Sequence, residues 1–137
     1  MKKLFLVLVS VLAINSVVMA SEDKPIAVER MPQKAQQFIK SHFGNHQVAM
    51  AKVETDFLSK SYDVIFTNGD KVEFDGKGEW TNVDCEYSAV PVAVIPAAIK
   101  AYVDKHYPDA KVKQIEKDLE YENNSEANRR TEFIILE

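Results

Sequence analysis

The chain has 137 residues, 28% of them charged and 46% hydrophobic, with a formal charge of −4. Apolar residues in several periodic segments exclude a disordered chain, and the acidic balance without a basic run excludes a nucleic-acid binder, since phosphates are neutralised by clustered Lys and Arg. The single cysteine, Cys85, excludes a disulfide framework and reads as a small buried hydrophobe on a strand.

In chain order, the first feature is an export signal. Lys2 and Lys3 form a positive start, Leu4 to Leu12 an apolar stretch, and Val18-Met19-Ala20 a small-residue cleavage site. This predicts a signal peptide over residues 1–20, cut after Ala20, and a periplasmic or secreted protein. Loss of Lys2 and Lys3 takes the formal charge from −4 to −6. Asn15 and Ser16 break the apolar run short of the roughly 20 residues that span a bilayer, so no membrane insertion is expected after cleavage. Residues 21–30 read as a flexible polar segment.

From residue 31 the chain repeats itself 64 residues on. Met31-Pro32 matches Ile95-Pro96, Ala35 matches Ile99, Phe38-Ile39 matches Tyr102-Val103, His42-Phe43 matches His106-Tyr107, and Val48 matches Val112. No gap is needed, which points to an internal duplication. Each copy predicts a helix with Pro in its first turn and one apolar stripe: Ala35, Phe38, Ile39 and His42 in the first, Ile99, Tyr102, Val103 and His106 in the second. Gly44-Asn45 and Pro108-Asp109 stop the helices, and strands follow over Val48–Glu54 and Val112–Asp118.

The stretch Tyr62 to Cys85 predicts a hairpin array. A three-residue loop at Thr67-Asn68-Gly69, with Gly69 left-handed, sets Val64 opposite Val72 and Tyr62 opposite Phe74, so that the apolar residues share a face. After the turn Asp75-Gly76-Lys77-Gly78, a third strand puts Thr81, Val83, Cys85 and Tyr87 on the core face. Trp80 is then expected outward, beside Ile65, Lys71, Glu73 and Asp84, although a bulge would invert it. Ser88 to Val94 reads as a linker. In the second copy Thr131–Leu136 matches Tyr62–Thr67 only after a five-residue insertion within Tyr121–Arg130, so its sheet is expected to be shorter by two strands. The expected fold class is α+β: two tandem helix-plus-antiparallel-sheet units, 31–87 and 95–137, joined by linker 88–94, with the second unit shortened.

Catalysis is not expected. His42 and His106 recur at one helix position, which suits packing, and His46 has no nucleophile placed beside it. Neither a Cys-x-x-Cys nor a His-Glu-x-x-His spacing occurs, so no metal or cofactor is expected. Pairs such as Asp63 with Glu73 read as solvated strand-face charges. The candidate site is a binding surface on the open sheet face: Ile65, Lys71, Glu73, Trp80 and Asp84, with Tyr62 at its rim and Trp80 as the aromatic anchor. The expected partner is an envelope protein or peptide, with a small-ligand or metal sensor as the alternative. The strand Glu132–Leu136, apolar on both faces, is a candidate edge for self-association.

Met31-Pro32, Phe38-Ile39 and His42-Phe43, followed by Tyr62-Asp63-Val64, Asn68-Gly69, Val72-Glu73-Phe74-Asp75, Gly78-Glu79-Trp80 and Val83-Asp84-Cys85, resemble the PepSY-like proteins. These are short exported proteins of Gram-negative bacteria, also described as β-lactamase-inhibitor-like. The resemblance spans Met31 to Asp118. It implies tandem units of a helix on an antiparallel sheet, with the helices packed on one face of the sheet and the other face open, a periplasmic home and a non-enzymatic role. The shortened second copy departs from the usual pattern.

Overall fold

The computed structural model describes residues 22–119 and 129–136. The signal-peptide reading, and most of the polar run in which the insertion was placed, lie outside the described residues. Seven strands make one antiparallel sheet in sequence order: β1 (Glu22–Pro25), β2 (Val48–Thr55), β3 (Lys60–Phe66), β4 (Lys71–Asp75), β5 (Trp80–Asp84), β6 (Lys111–Leu119) and β7 (Arg129–Leu136). Helix α1 (Gln33–His42) lies between β1 and β2 in the chain, and α2 (Ala97–His106) between β5 and β6. Each follows a proline and is preceded by a short 3-10 turn, Val28–Arg30 or Val92–Val94.

Both helices feed one apolar core. Ala35, Ile39 and Phe43 from α1 and its C-terminus, and Val103 from α2, are buried with Tyr62, Val64 and Phe66 of β3, Val72 and Phe74 of β4, Val83 of β5 and Ile115 of β6. Alternate strand residues thus line the helix side of the sheet, as a period of two requires. The register of β3 on β4 is the expected one, with Val64 opposite Val72 and Tyr62 opposite Phe74. It is fixed by a three-residue loop in which Gly69 takes φ 92°, the left-handed region that costs glycine least.

Several expectations need correction. Residues 22–25 are not loose: Glu22–Pro25 pairs with Thr55–Lys52 as a short, exposed edge strand, and Ile26 N–H donates to Ala51 C=O at 2.9 Å. The expected linker is anchored too, with Val90 and Val94 buried and Val90 N–H donating to Val112 C=O at 2.9 Å. On α2 the apolar stripe narrows, leaving Tyr102 and His106 exposed with their rings 4.4 Å apart. The matching Phe38 of α1 is covered by Phe74 and Trp80, from strands that have no counterpart after α2 among the described residues.

The β4–β5 turn is where the sheet meets the start of α1. Gly78 has φ 83°, and a Cβ there would lie 2.8 Å from Pro32 Cβ and 3.0 Å from Ala35 N. Backbone conformation and contact both demand glycine. Gly78→Ala should therefore destabilise the fold by about 1–3 kcal/mol in urea unfolding, through φ strain and overpacking together. A loss within experimental error would show that α1 does not seat on this turn.

Candidate functional site: the open sheet face

The face away from the helices is polar and built as a lattice of charges. Direct cross-strand pairs place Lys52, Asp63, Glu73, Asn82 and Glu116 in one row, and Met50, Ile65, Lys71, Asp84 and Gln114 in the next. The structure thus brings Ile65, Lys71, Glu73 and Asp84 together, all half-buried. Met50, 46% exposed, extends the apolar spot at Ile65. Gln114 Nε2 donates to Asn82 Oδ1 at 3.2 Å across β5 and β6.

Asp63 is the centre of this lattice and corrects the reading of it as a solvated charge. It is only 5% exposed, and its Oδ2 lies 3.1 Å from Lys71 Nζ and 3.4 Å from Lys52 Nζ. Lys71 also pairs with Glu73 at 2.5 Å, and Lys52 with Glu54 at 2.6 Å and Asp23 at 2.9 Å. Burial by itself pushes the Lys71 ammonium down, but hydrogen bonds to Glu73 and Asp63 outweigh it and the net direction is up. Lys52 is raised chiefly by its hydrogen bonds to Glu54 and Asp23. Both lysines therefore hold their charge at neutral pH, and the stability they add is lost only as pH climbs past the ordinary lysine range. The sequence lacks any local sign of this network, because its members come from four strands.

Trp80 and Tyr62 are not on this face. The β4–β5 ladder shifts between Glu73 and Phe74: Glu73 pairs with Asn82 but Phe74 pairs with Trp80, leaving Thr81 as the extra residue of a bulge. The bulge turns Trp80 to the helix side. There its ring centroid is 6.2 Å from that of Phe38, and Lys117 Nζ stands 3.7 Å from it on cation–π terms. Tyr62 is buried in the core.

A second polar group, unseen in the sequence, sits under the β3–β4 loop. Asp70 is fully buried and accepts hydrogen bonds from Asn68 Nδ2 at 2.9 Å and from Ser88 Oγ, while His46 Nε2 lies 3.8 Å away. Lys113 donates to the Ser88 carbonyl. Cys85 is buried beside them. Burial first, and the charge of Asp70 second, push its thiol up to about 12, so it stays an unreactive thiol at neutral pH. These contacts tie the loop to the chain after β5. Among the described residues no three His, Cys, Asp or Glu side chains are grouped so as to hold a metal, and no helix is long and apolar enough to cross a membrane.

The family model described as "Putative beta-lactamase-inhibitor-like, PepSY-like" matches residues 60–135, from the start of β3 into β7. The chain belongs to the PepSY-like family. Among solved structures, this PepSY-like chain is similar to a Bacteroides vulgatus protein described as a "putative periplasmic protein" of the DUF2874 family, with 67% identity over 72% of this chain and 78% of that one and a TM-score of 0.70. It is similar at 66% identity to a "putative calcium-regulated periplasmic protein" from Bacteroides thetaiotaomicron, over 71% of this chain and 76% of that one, with a TM-score of 0.69. A second Bacteroides vulgatus protein, described as periplasmic and of unknown function, is 36% identical over 71% and 79%, with a TM-score of 0.66. A comparison with curated proteins finds no match. No enzyme family is indicated by these matches.

Large-to-small truncation separates the two roles open to Trp80. On the helix side, beside Phe38 and Lys117, Trp80→Ala should cost about 2–4 kcal/mol in chemical unfolding, toward the range of core aromatics. An unchanged midpoint would return Trp80 to the list of surface anchors.

Proposed function

We propose that this PepSY-like protein is exported to the periplasm, cut after Ala20, and acts there without catalysis as a binding module for another envelope protein or peptide. The neighbours described as periplasmic support the compartment. The observation that carries the binding reading is the open face itself. Among the described residues, helices cover one side of the sheet, and the other side holds Ile65, Lys71, Glu73 and Asp84 in fixed register around a buried Asp63. A surface already held in place loses less freedom on docking than a mobile one. The β-lactamase-inhibitor likeness in the family description favours inhibition of an enzyme as the form this binding takes. Trp80 is left out of the proposed surface because of its orientation.

The 64-residue offset between α1 and α2, and between the two 3-10 turns before them, supports descent from tandem units that now share one sheet. Self-association would be sought at the sheet edges, of which β7 is the longer. For the open face, a pull-down from periplasmic extract with wild type, Ile65→Asp and Lys71→Glu in parallel is decisive. A partner held by wild type and released by both folded variants is expected. One retained equally by all three would sink the open-face reading.

A second reading, calcium regulation, is favoured by the description of the 66% identical neighbour. The acids of the open face, Asp23, Glu54, Asp63 and Glu73, are paired with Lys52 and Lys71 and are not grouped so as to hold a metal ready-made. A cation would have to displace an ammonium, so the affinity would be modest. Thermal melting with millimolar Ca²⁺ against Mg²⁺ tests this: a saturable rise with calcium that Asp63→Asn removes is expected on this reading. Identical curves would dismiss it.

A further inference from the structure

The two halves of the chain seat a helix after a 3-10 turn in the same way and then close the junction differently. In the first half the Gln36 side chain donates to the carbonyls of Glu29 at 3.0 Å and Met31 at 2.7 Å, sealing α1 against the turn before it. The His46 ring packs edge-on to Phe43 and Phe66, with centroids 5.2 and 5.5 Å away. The residues 64 positions on are Lys100 and Ala110. Lys100 turns aside to pair with Asp104 at 2.5 Å, and Ala110 offers a methyl group where the first half has an imidazole.

What remains is a cavity of about 230 Å³ between α2, the Val92–Val94 turn and the start of β6. Its lining includes the buried side chains of Val90, Val103 and Val112, together with Ile95. The charged members of the lining are Lys100, Asp104 and Lys111, two cations against one anion. We propose that this cavity is a binding site for a short aliphatic monocarboxylate, its chain against the valines and its carboxylate at Lys111, beside the Lys100–Asp104 pair. The chemistry follows from the lining: each methylene taken out of water tightens binding about fourfold, while the excess positive charge selects a single negative head. A dianion would meet Asp104, and a long chain would outrun the space.

The test is thermal melting of the protein with octanoate, with octanol as the neutral chain of the same length and acetate as the head alone. Octanoate should raise the melting temperature saturably, octanol less, and acetate not at all. Lys111→Glu, an exposed change, should reduce octanoate to the level of octanol without altering the unliganded melting temperature. Ala110→Phe, which fills the cavity, should abolish both responses; if that variant does not fold, the Lys111→Glu comparison decides alone. The proposal is overturned if octanoate gives no saturable rise, if octanol matches it, or if Lys111→Glu responds as wild type does.

Discussion

Phe43 stacked on Phe66, with centroids 4.9 Å apart, and Phe38 set edge-on to Phe74 at 5.6 Å fasten α1 to the middle of the sheet. The rest of the molecule is organised around that attachment. It defines which face of β3 and β4 is buried and hence the register of every strand beside them. It also brings the start of α1 close enough to the β4–β5 turn that only glycine fits at position 78. Aromatic pairs of this kind add about 0.5–1.5 kcal/mol each beyond the area they bury. Truncating Phe38 or Phe43 would therefore loosen the helix and the sheet together.

The opposite face explains itself by cost. Covering it with a third layer would strip the remaining water from Lys52, Lys71 and Glu73 around the already buried Asp63, and removing paired charges from water costs several kcal/mol per ion. The lattice thus holds the side chains of this face in place at the water boundary. The two faces answer to different forces, dispersion and burial on one, charge pairing at the water boundary on the other.

What the sequence discloses is what depends on near neighbours. The Tyr62–Phe74 hairpin is legible because its loop residues and its period of two point to the same register. The helices are legible because each apolar stripe follows a proline at a fixed offset. Trp80 is not legible: a one-residue bulge at Thr81 reverses its face without disturbing Val83 or Cys85 further along, and alternation alone carries no mark of it. Asp63 is missed for another reason. Its burial depends on Lys52 from β2 and Lys71 from β4, and nothing in Tyr62-Asp63-Val64 distinguishes a solvated aspartate from one clamped between two ammonium groups. Strand β1 is three charged residues and a proline with no pattern to read, and becomes a strand only because the edge of β2 accepts it.

The order of the sheet has a consequence for how the molecule assembles. Each strand from β1 to β7 pairs with the one made just before it and the one made just after it. A chain delivered from its N-terminus therefore never has to keep a strand waiting for a distant partner, and each new segment extends an edge that is already in place. The closures from β2 to β5 are short, the condition under which folding is quick, whereas β1–β2 and β5–β6 each close around a helix. Growth by accretion leaves β1 and β7 as the two edges of the sheet among the described residues.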